Sequence, residues 1–365
     1  MGAIGFLKKQ PPPVIVLLGF LLVAVLGFAD YITGPELFFL EFYLIPVLLV
    51  AWFVGERAAL GISIASAVCW FIDEVVERPP HQQPAVVYLN VGTKLFVFIL
   101  FTHMVLAFKK ALEREKIAEK ERIDREIEIA KQVQERLLPQ SVPPMKTLDY
   151  VGICKPVFGV GGDYFDFLQL EQDHVAIAVG DVSGKGISSA LLMASFQGML
   201  HSHTLHRPNE LAELIGDLNR IMFAFTDRKR FVSFFYAVYD DKSRRLNYVN
   251  AGHNPPMIFR KNSSNGPIKL DSTGVVIGLF PNASYTEQSL QLCEGDILVC
   301  FTDGITEAMN LNEEEYTEER LIEVISQNQE KSACDLRDLI LDHVHTFSGE
   351  APQRDDETLV VVRVL

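Results

Sequence analysis

Four short acidic motifs in the C-terminal part of the chain contain the side chains best suited to chemistry. In each motif an Asp stands beside a glycine or a second Asp, and these acids are Asp163, Asp181, Asp303, Asp355 and Asp356. Carboxylates that gather in one place repel one another, and bound cations relieve that repulsion. Oxygen ligands of this kind suit Mg2+ or Mn2+. The motifs therefore predict a binuclear metal centre, provided that the fold brings them together.

A hairpin is predicted to position the first two acids. Tyr164–Leu170 and His174–Gly180 are strand-like runs on either side of a polar turn formed by residues 171–173. Such a pattern is typical of two antiparallel strands joined by a short loop. Its two ends then meet, so we expect Asp163 to face Asp181.

A second strand pair is predicted to position the remaining acids. Asp303 ends the apolar strand Ile297–Phe301, whereas Asp355 and Asp356 open the strand Thr358–Leu365. If these strands pair antiparallel, the acids again share one end of a sheet. A competing interpretation is that each Asp merely caps a strand or turn, as Asp beside Gly often does.

The cysteines do not offer an alternative metal site. They are scattered without any CxxC spacing, and no cluster of His and Cys matches a zinc site. The five positions are Cys69, Cys154, Cys293, Cys300 and Cys334. Zinc is therefore disfavoured.

The motifs, taken in order, resemble a known family. GGDYFD, GDVSGKG, NAGHNPP, FTDGITEA and DDETLVVV are similar to the metal-dependent PPM serine/threonine phosphatases, and most of all to their bacterial SpoIIE/RsbU-type branch. The resemblance runs from about Ile129 to Leu365 and implies an αββα sandwich over residues 141–365, with two antiparallel sheets flanked by helices. It also implies two Mn2+ or Mg2+ ions that activate water for hydrolysis of phosphoserine or phosphothreonine.

The same resemblance implies which residues form the site. Carried over position by position, the metal-site residues are Asp163, Asp181, Val182 through its carbonyl, Asp303 and Asp355. Asp356 is a further candidate ligand, or it orients the strand or a water. No obvious Arg stands shortly upstream of Asp163 to bind phosphate, so the group that grips the substrate phosphate is left open.

Other motifs resemble sites with different chemistry, but they match those sites only in part. GGDYF resembles part of the diguanylate cyclase motif, yet the acidic partners of Asp163 lie downstream of it rather than upstream. The glycines around Lys185 fail the spacing of a phosphate-binding loop. His253 could be a general acid or part of a structural turn. The histidines His201, His203 and His206 are expected at a solvated helix end.

The first third of the chain is predicted to be a membrane domain. Its apolar stretches are each near the length that crosses a bilayer. They are Val14–Ala29, Leu37–Val54, Ala58–Ile72 and Ala85–Phe108. The prediction is a transmembrane bundle of four helices over residues 1–108, or of three if the short third stretch does not span. The first stretch is interpreted as an uncleaved anchor rather than a signal peptide.

Charge predicts the orientation of these spans. The basic residues on one side are Lys8, Lys9, Arg57, Lys109, Lys110 and Arg114. The opposite loops carry Asp30, Glu36, Asp73, Glu74 and Glu77, with Arg78 as an exception. Both termini are therefore predicted to lie on the cytoplasmic side. The protein is predicted to cross the cytoplasmic membrane several times, with its catalytic domain in the cytoplasm. Glu41, Lys94 and His103 could sense a ligand or protons, or simply lie near the membrane border.

A charged linker over residues 109–140 joins the two parts. Within it, Ala111–Leu138 has apolar residues at roughly helical spacing, which predicts a continuous helix that ends at Pro139. This helix is either a parallel dimeric coiled coil or a single helix packed on its own phosphatase domain. Our hypothesis is that a signal reorders it and so aligns Asp181 and the helix that begins at Ile187 for metal binding.

Composition limits the partners. The net charge of -14 argues against nucleic-acid binding. By resemblance, the substrate is a phosphorylated anti-sigma-factor antagonist of the STAS type in a partner-switching pathway, and the other expected partners are membrane lipid and a second copy of the chain. The alternative function is a non-catalytic membrane receptor or scaffold that binds partners through a PPM-like domain.

Overall fold

The computed structural model describes residues 3–33, 40–77, 84–171, 173–204, 210–227, 229–261 and 266–365. The chain divides into two compact units, Met1–Ile123 and Asp124–Leu365. Several predicted features lie outside the described residues, namely Glu36, the start of the second apolar stretch, Arg78, Gln172 and His206.

The N-terminal unit is helical. Its helices are α1 (Ala3–Leu7), α2 (Pro12–Thr33), α3 (Leu40–Phe53), α4 (Glu56–Glu77) and the first part of α5 (Pro84–Leu137). The unit's core includes Val23, Val47, Ile62 and Phe98. Helices α2 and α4 approach closely at Gly19, where an added Cβ would lie 3.2 Å from Ile62 Cδ1.

Two of these helices are long and apolar enough to cross a membrane. They are Pro12–Thr33 and the helix that contains the apolar stretch from residue 85. The second predicted span corresponds to α3, which has 14 residues, and the third corresponds to α4, which carries acidic residues at both ends. The described residues thus contain two candidate spans, and the four-span bundle stays a prediction.

Besides its apolar core, the N-terminal unit exposes many large apolar side chains and buries a few polar ones. Large apolar side chains such as Leu17 and Phe28 are about two-thirds exposed, whereas Ser63 and Thr102 are fully buried. Each buried hydroxyl donates to the backbone carbonyl four residues earlier in its own helix. An exposed apolar surface of this kind is typical of a face that meets lipid or another protein.

The C-terminal unit contains two five-stranded antiparallel sheets. Its strands are β1 (Leu148–Lys155), β2 (Tyr164–Glu171), β3 (His174–Val182), β4 (Val232–Asp240), β5 (Arg245–Ala251), β6 (Met257–Phe259), β7 (Ile268–Lys269), β8 (Gln288–Gln291), β9 (Ile297–Phe301) and β10 (Glu357–Val364). One sheet has the order β1-β10-β9-β6-β7 and the other the order β2-β3-β4-β5-β8.

Helices cover the outer face of each sheet. They are α6 (Ile187–Thr204), α7 (Leu211–Phe225), α8 (Asp303–Thr306), α9 (Glu318–Ser326) and α10 (Ala333–Ser348). Phe165, Ile177 and Val360 belong to the apolar layer between the sheets. Helices α6 and α7 pack on the second sheet, and α9 and α10 on the first. The predicted αββα sandwich is confirmed.

Both predicted strand pairs are also confirmed. Tyr164 lies opposite Gly180 in the β2–β3 hairpin, so Asp163, just before β2, and Asp181, near the end of β3, lie at the same end of the hairpin. In the other sheet Leu359 of β10 lies opposite Phe301 of β9. Each of the four acidic motifs therefore lies at one end of a strand, and these strand ends are together at one end of the sandwich.

The last turns of α5 belong to the C-terminal unit and contact it. Gln134 is only 8% exposed, and an added Cβ on Gly159 would lie 3.2 Å from Ile127. On other faces of the same helix, Ile129 and Val133 are about 60% exposed. One face of the helix thus packs on its own domain, while other apolar residues stay open in the single chain.

Candidate metal centre

Asp163 and Asp181 face each other at the open end of the β2–β3 hairpin. Asp163 is 3% exposed, and its carboxylate accepts a hydrogen bond of 2.7 Å from the Thr302 hydroxyl. The amide N–H of Val182 donates to the Gly162 carbonyl at 3.3 Å. The acidic loop before β2 is therefore tied to the end of β3 and to the end of β9.

Asp303 and Asp355 approach the same place from the other sheet. Asp303 is the first residue of the short helix α8, which follows β9 directly. Asp355 lies in the loop before β10 and is about one-third exposed. The Thr302 hydroxyl accepts a hydrogen bond from the Thr358 amide at 3.1 Å, which fixes the end of β9 against the start of β10.

Asp356 has a different environment from its neighbour Asp355. It is 7% exposed, and its two carboxylate oxygens accept hydrogen bonds from the backbone amides of Val157 at 2.8 Å and Gly162 at 2.9 Å. This arrangement favours the orienting role that the sequence left open, because both oxygens hold the loop that precedes Asp163.

At three glycines of this site, a side chain would collide with neighbouring atoms. An added Cβ would lie 2.1 Å from Asp356 Oδ2 at Gly161, 2.6 Å from the Val182 carbonyl oxygen at Gly162, and 2.0 Å from the Asp356 carbonyl oxygen at Gly304. Real Cβ atoms do not approach other atoms so closely. The glycines of these motifs are therefore required by packing around the carboxylates.

The acids perturb one another strongly. Burial and the nearby Asp181 charge hold the pKa of Asp163 well above its usual range. Burial, followed by the charges of Asp303 and Asp355, raises the pKa of Asp181 to about 7. Burial and Asp355 also raise the pKa of Asp303. Burial is the first cause of each shift, and the neighbouring carboxylate charges add to it, as expected where acids from several motifs lie near one another.

The donor set fits hard divalent cations. The proposed donors are carboxylate and carbonyl oxygens, which suits Mg2+ or Mn2+. Among the described residues, no three His, Cys, Asp or Glu side chains already converge tightly enough to hold one ion. The fit therefore rests on the oxygen donors, their shared electrostatic field and the close glycine backbone, not on a formed coordination shell.

Lys185 adds a positive charge to the acidic site. Its ammonium group lies 2.7 Å from Asp355 Oδ2 and donates to the Arg354 carbonyl at 2.7 Å. The hydrogen bond with Asp355 raises the pKa of Lys185, so the side chain is charged at neutral pH. A cavity of about 350 Å3 adjoins it, and the lining includes Gly304 and His345.

Gln134 connects the linker helix to the acidic loop. Its side-chain amide donates to the Gly161 carbonyl at 2.7 Å and its side-chain oxygen accepts from the Gly161 amide at 3.0 Å. Nearby, the side-chain amide of Gln197 on α6 donates to the Leu137 carbonyl. The end of α5 is thus bonded both to the residue two before Asp163 and to the helix that follows Asp181.

The histidines take structural positions. Burial lowers the pKa of His253 to about 4, and its backbone amide donates to Asn250 Oδ1 at 2.8 Å, which favours the structural-turn interpretation over a general acid. His201 is partly exposed, but its ring lies 2.6 Å from the buried Asp166 carboxylate. His201 is thus exposed near the end of α6, as expected, and it also contacts the buried Asp166 carboxylate. The His203 ring bonds to the Met199 carbonyl at 2.9 Å.

Three residues of the site were missed from the sequence. Gln134, Thr302 and Lys185 were given no role in the metal centre, although Thr302 and Lys185 both lie inside its motifs. Thr302 and Lys185 could have been identified from their positions in the sequence. Thr302 directly precedes the predicted ligand Asp303, and Lys185 closely follows the predicted ligand Asp181. No comparable signal distinguishes Gln134 from Gln132 in the same charged helix.

Comparisons with known proteins agree with this geometry. The family model of stage II sporulation protein E (SpoIIE) matches residues 171–365. Phosphoserine phosphatase RsbU of Bacillus subtilis is 32% identical over 244 residues, which are 66% of this chain and 70% of RsbU. Protein IcfG of Synechocystis sp. is 28% identical over 265 residues, which are 65% of this chain but only 41% of IcfG. The chain thus spans less than half the length of that relative.

A solved structure shows the same fold. The SiaA-PP2C domain of Pseudomonas aeruginosa superposes with a TM-score of 0.60 at 18% identity, covering 67% of this chain and 98% of that domain. At this level of identity the likeness concerns the fold alone.

Proposed function

Because the chain belongs to the SpoIIE/RsbU branch of the PPM serine/threonine phosphatases, we propose that it is a membrane-anchored phosphatase that removes phosphate from serine or threonine of a partner protein. The observation that carries the proposal is the gathering of carboxylates from four motifs at one end of both sheets. A domain used only for binding has no need of acids that raise one another's pKa.

The proposed ligands of two divalent ions are Asp163, Asp181, the Val182 carbonyl, Asp303 and Asp355. When bound, such ions activate water and neutralise the charge of a phosphoryl group. Asp356 is proposed to orient the loop that precedes Asp163 rather than to bind an ion directly. Thr302 is proposed to hold the Asp163 carboxylate in place through its hydroxyl.

The proposed substrate is a phosphorylated protein of the STAS type. The support is resemblance to the SpoIIE/RsbU branch, and RsbU is itself named a phosphoserine phosphatase. The test is manganese-dependent phosphate release from a phosphoserine STAS protein and from p-nitrophenyl phosphate by the detergent-purified full chain. Release that requires metal supports the proposal. Stable binding of the phosphoprotein without release would favour the receptor or scaffold alternative.

The proposed phosphate-gripping group is the Lys185 ammonium. It is about half exposed beside the cavity, and a charge-assisted hydrogen bond to phosphate is worth about 1.5–3 kcal/mol. We therefore expect Lys185→Ala to raise KM for the phosphoprotein about tenfold or more, whereas Lys185→Arg restores much of the affinity. Steady-state kinetics at saturating Mn2+ measure this effect.

A matched control is Lys242→Ala. Lys242 also forms an ion pair with an aspartate, Asp173, but it lies at the other end of the β3–β4 pair, where His174 is opposite Asp240. Its loss should leave KM unchanged. If Lys185→Ala instead weakens only Mn2+ activation and not KM, Lys185 positions Asp355 and does not grip phosphate.

The linker helix is proposed to control the site through Gln134. Removing its side chain leaves the buried Gly161 amide and carbonyl without partners, which costs about 1–3 kcal/mol for each group. We therefore expect Gln134→Ala to raise the Mn2+ concentration needed for half-maximal activity about tenfold. Manganese titration of phosphate release checks this prediction.

Gln132→Ala provides the comparison for this variant. Gln132 is exposed, and its side chain makes a hydrogen bond of 3.4 Å to Glu128 on the same helix. Equal manganese dependence in the two variants would contradict the coupling. The exposed Ile129 and Val133 support a proposed homodimer through this helix, which sedimentation of the detergent-purified chain can test.

Membrane anchoring is proposed from the N-terminal unit. Its exposed apolar and buried polar side chains support a lipid environment, and the basic residues near the ends of the apolar stretches support a cytoplasmic catalytic domain. We propose a multi-pass arrangement of up to four spans. Carbonate extraction of membranes and protease protection of the full chain test the anchoring and its orientation.

A further inference from the structure

A basic cavity lies at one end of the N-terminal helical unit. It has a volume of about 360 Å3 and is formed by the start of α2, the end of α3, the segment before α2 and α5 just beyond its apolar stretch. Three lysines line it, Lys8, Lys109 and Lys116, together with a single acid, Glu113. The cavity is therefore positively charged overall.

The lysines are available to a ligand. Among the described residues, none of these three ammonium groups forms an ion pair. Lys109 donates one hydrogen bond of 2.8 Å to the Trp52 carbonyl at the end of α3, and an ammonium group has three hydrogens to donate. Lys8 and Lys116 are exposed. Donors from the segment that follows α1 and from two positions on α5 thus line the same cavity.

Apart from these charged residues and Gln10, the cavity wall is apolar. Ile15, Phe53 and Leu112 line it beside the lysines, and Trp52 adds a large aromatic ring. A soluble anion such as inorganic phosphate has no apolar part that could pack against this wall. A ligand with a charged head and a hydrocarbon body would contact both parts.

The helices that pass the cavity carry a surface suited to that hydrocarbon body. On α2, Leu17 and Leu21 are 70% and 59% exposed, and on α5, Leu100 and Phe108 are 52% and 59% exposed. Phe108 directly precedes Lys109. The change from apolar to basic residues along α5 therefore occurs at the cavity itself.

From these observations we infer that the cavity binds the phosphate-bearing headgroup of an anionic phospholipid, with the acyl chains lying along α2 and α5. Basic cavities between membrane helices on the cytoplasmic side are suited to such headgroups. The inference rests on the proposed membrane anchoring, since the lysines lie at the border of the cytoplasmic leaflet only if α2 and α5 span it.

The test compares two double variants of the full chain with the same charge change. Lys8→Ala/Lys116→Ala removes two cavity lysines that make no described hydrogen bond. Lys9→Ala/Lys110→Ala removes their exposed neighbours, which do not line the cavity. Retention of phosphatidylglycerol, relative to phosphatidylcholine, is measured by native mass spectrometry after titration into detergent.

We expect the cavity variant to lose about tenfold in apparent affinity for phosphatidylglycerol, equal to about 1.4 kcal/mol, while its neighbour variant keeps the affinity of the unchanged protein. Equal losses would mean a general charge effect and would overturn the inference, as would equal retention. Displacement of the lipid by millimolar inorganic phosphate would show a phosphate site instead. Release of the chain by carbonate would separately refute membrane anchoring.

Discussion

Asp303→Asn is expected to reduce metal-dependent phosphate release by more than about a hundredfold, because even changes in residues behind a metal ligand cost about 10–100-fold. The substitution keeps the shape of the side chain but removes the charge that attracts a cation. Phosphate release at increasing Mn2+ measures the effect. Asp227→Asn is the control, since Asp227 is an exposed aspartate outside the four acidic motifs.

Substitution of the buried Asp163 is expected to stabilise the metal-free protein, although it removes a proposed metal ligand. The pKa of Asp163 is raised in the fold, so its ionised form is disfavoured there relative to the unfolded chain. For such a group, stability is present at low pH and is lost as the pH rises through the raised pKa. We therefore expect Asp163→Asn, in the presence of chelator at about pH 8, to melt at a higher temperature than the unchanged protein.

Two outcomes would contradict the site assignment. One is full activity in Asp303→Asn. The other is a lower melting temperature for metal-free Asp163→Asn together with an unchanged response to Mn2+, because this would make Asp163 a structural hydrogen-bonding residue and not part of a repelling cluster. Thermal unfolding with chelator and with Mn2+ separates these cases.

Gly162→Ala is expected to abolish most activity without altering any charged or polar side chain. The new methyl group would lie 2.6 Å from the Val182 carbonyl oxygen and 3.0 Å from the Ser189 Cβ. Neither atom is the free end of a flexible side chain, so the loop that carries Asp163 must move. We expect more than tenfold lower phosphate release, with about 1–3 kcal/mol lost from the free energy of unfolding.

Gly198→Ala serves as the opposite control. Gly198 is exposed on α6, and nothing lies within 4 Å of an added Cβ. Alanine there should raise the free energy of unfolding by up to about 1 kcal/mol, since it favours helix more than glycine does. Activity should be kept. If the two variants behave alike in both activity and urea denaturation, close packing at Gly162 does not shape the site.

The strand pairs could be predicted because local sequence determines them. Alternating and apolar runs around the turn at residues 171–173 indicated the β2–β3 hairpin, and the Asp303 and Asp355 motifs adjoin strongly apolar strands. The contacts of Gln134 and Lys185 could not be predicted in this way. Gln134 bonds to Gly161, 27 residues away, and Lys185 donates to Arg354, 169 residues away, so both depend on the packed fold.

Asp356 shows a similar limit. Two adjacent acids look equivalent in sequence, but alternate residues near the start of a strand point in opposite directions. Asp355 remains partly exposed beside Lys185, whereas Asp356 is buried against the amides of Val157 and Gly162. The sequence indicated that the pair belongs to the proposed site, and only the fold distinguished the two environments.

The position of β10 has a consequence for synthesis of the protein. This strand lies between β1 and β9, although it follows both of them in the chain, and Asp355 and Asp356 directly precede it. A nascent chain on the ribosome therefore has a gap between β1 and β9 until β10 has emerged, and it lacks Asp355 and Asp356 until just before that strand. The proposed metal centre can therefore be completed only after β10 has been synthesised and has paired with its two neighbours.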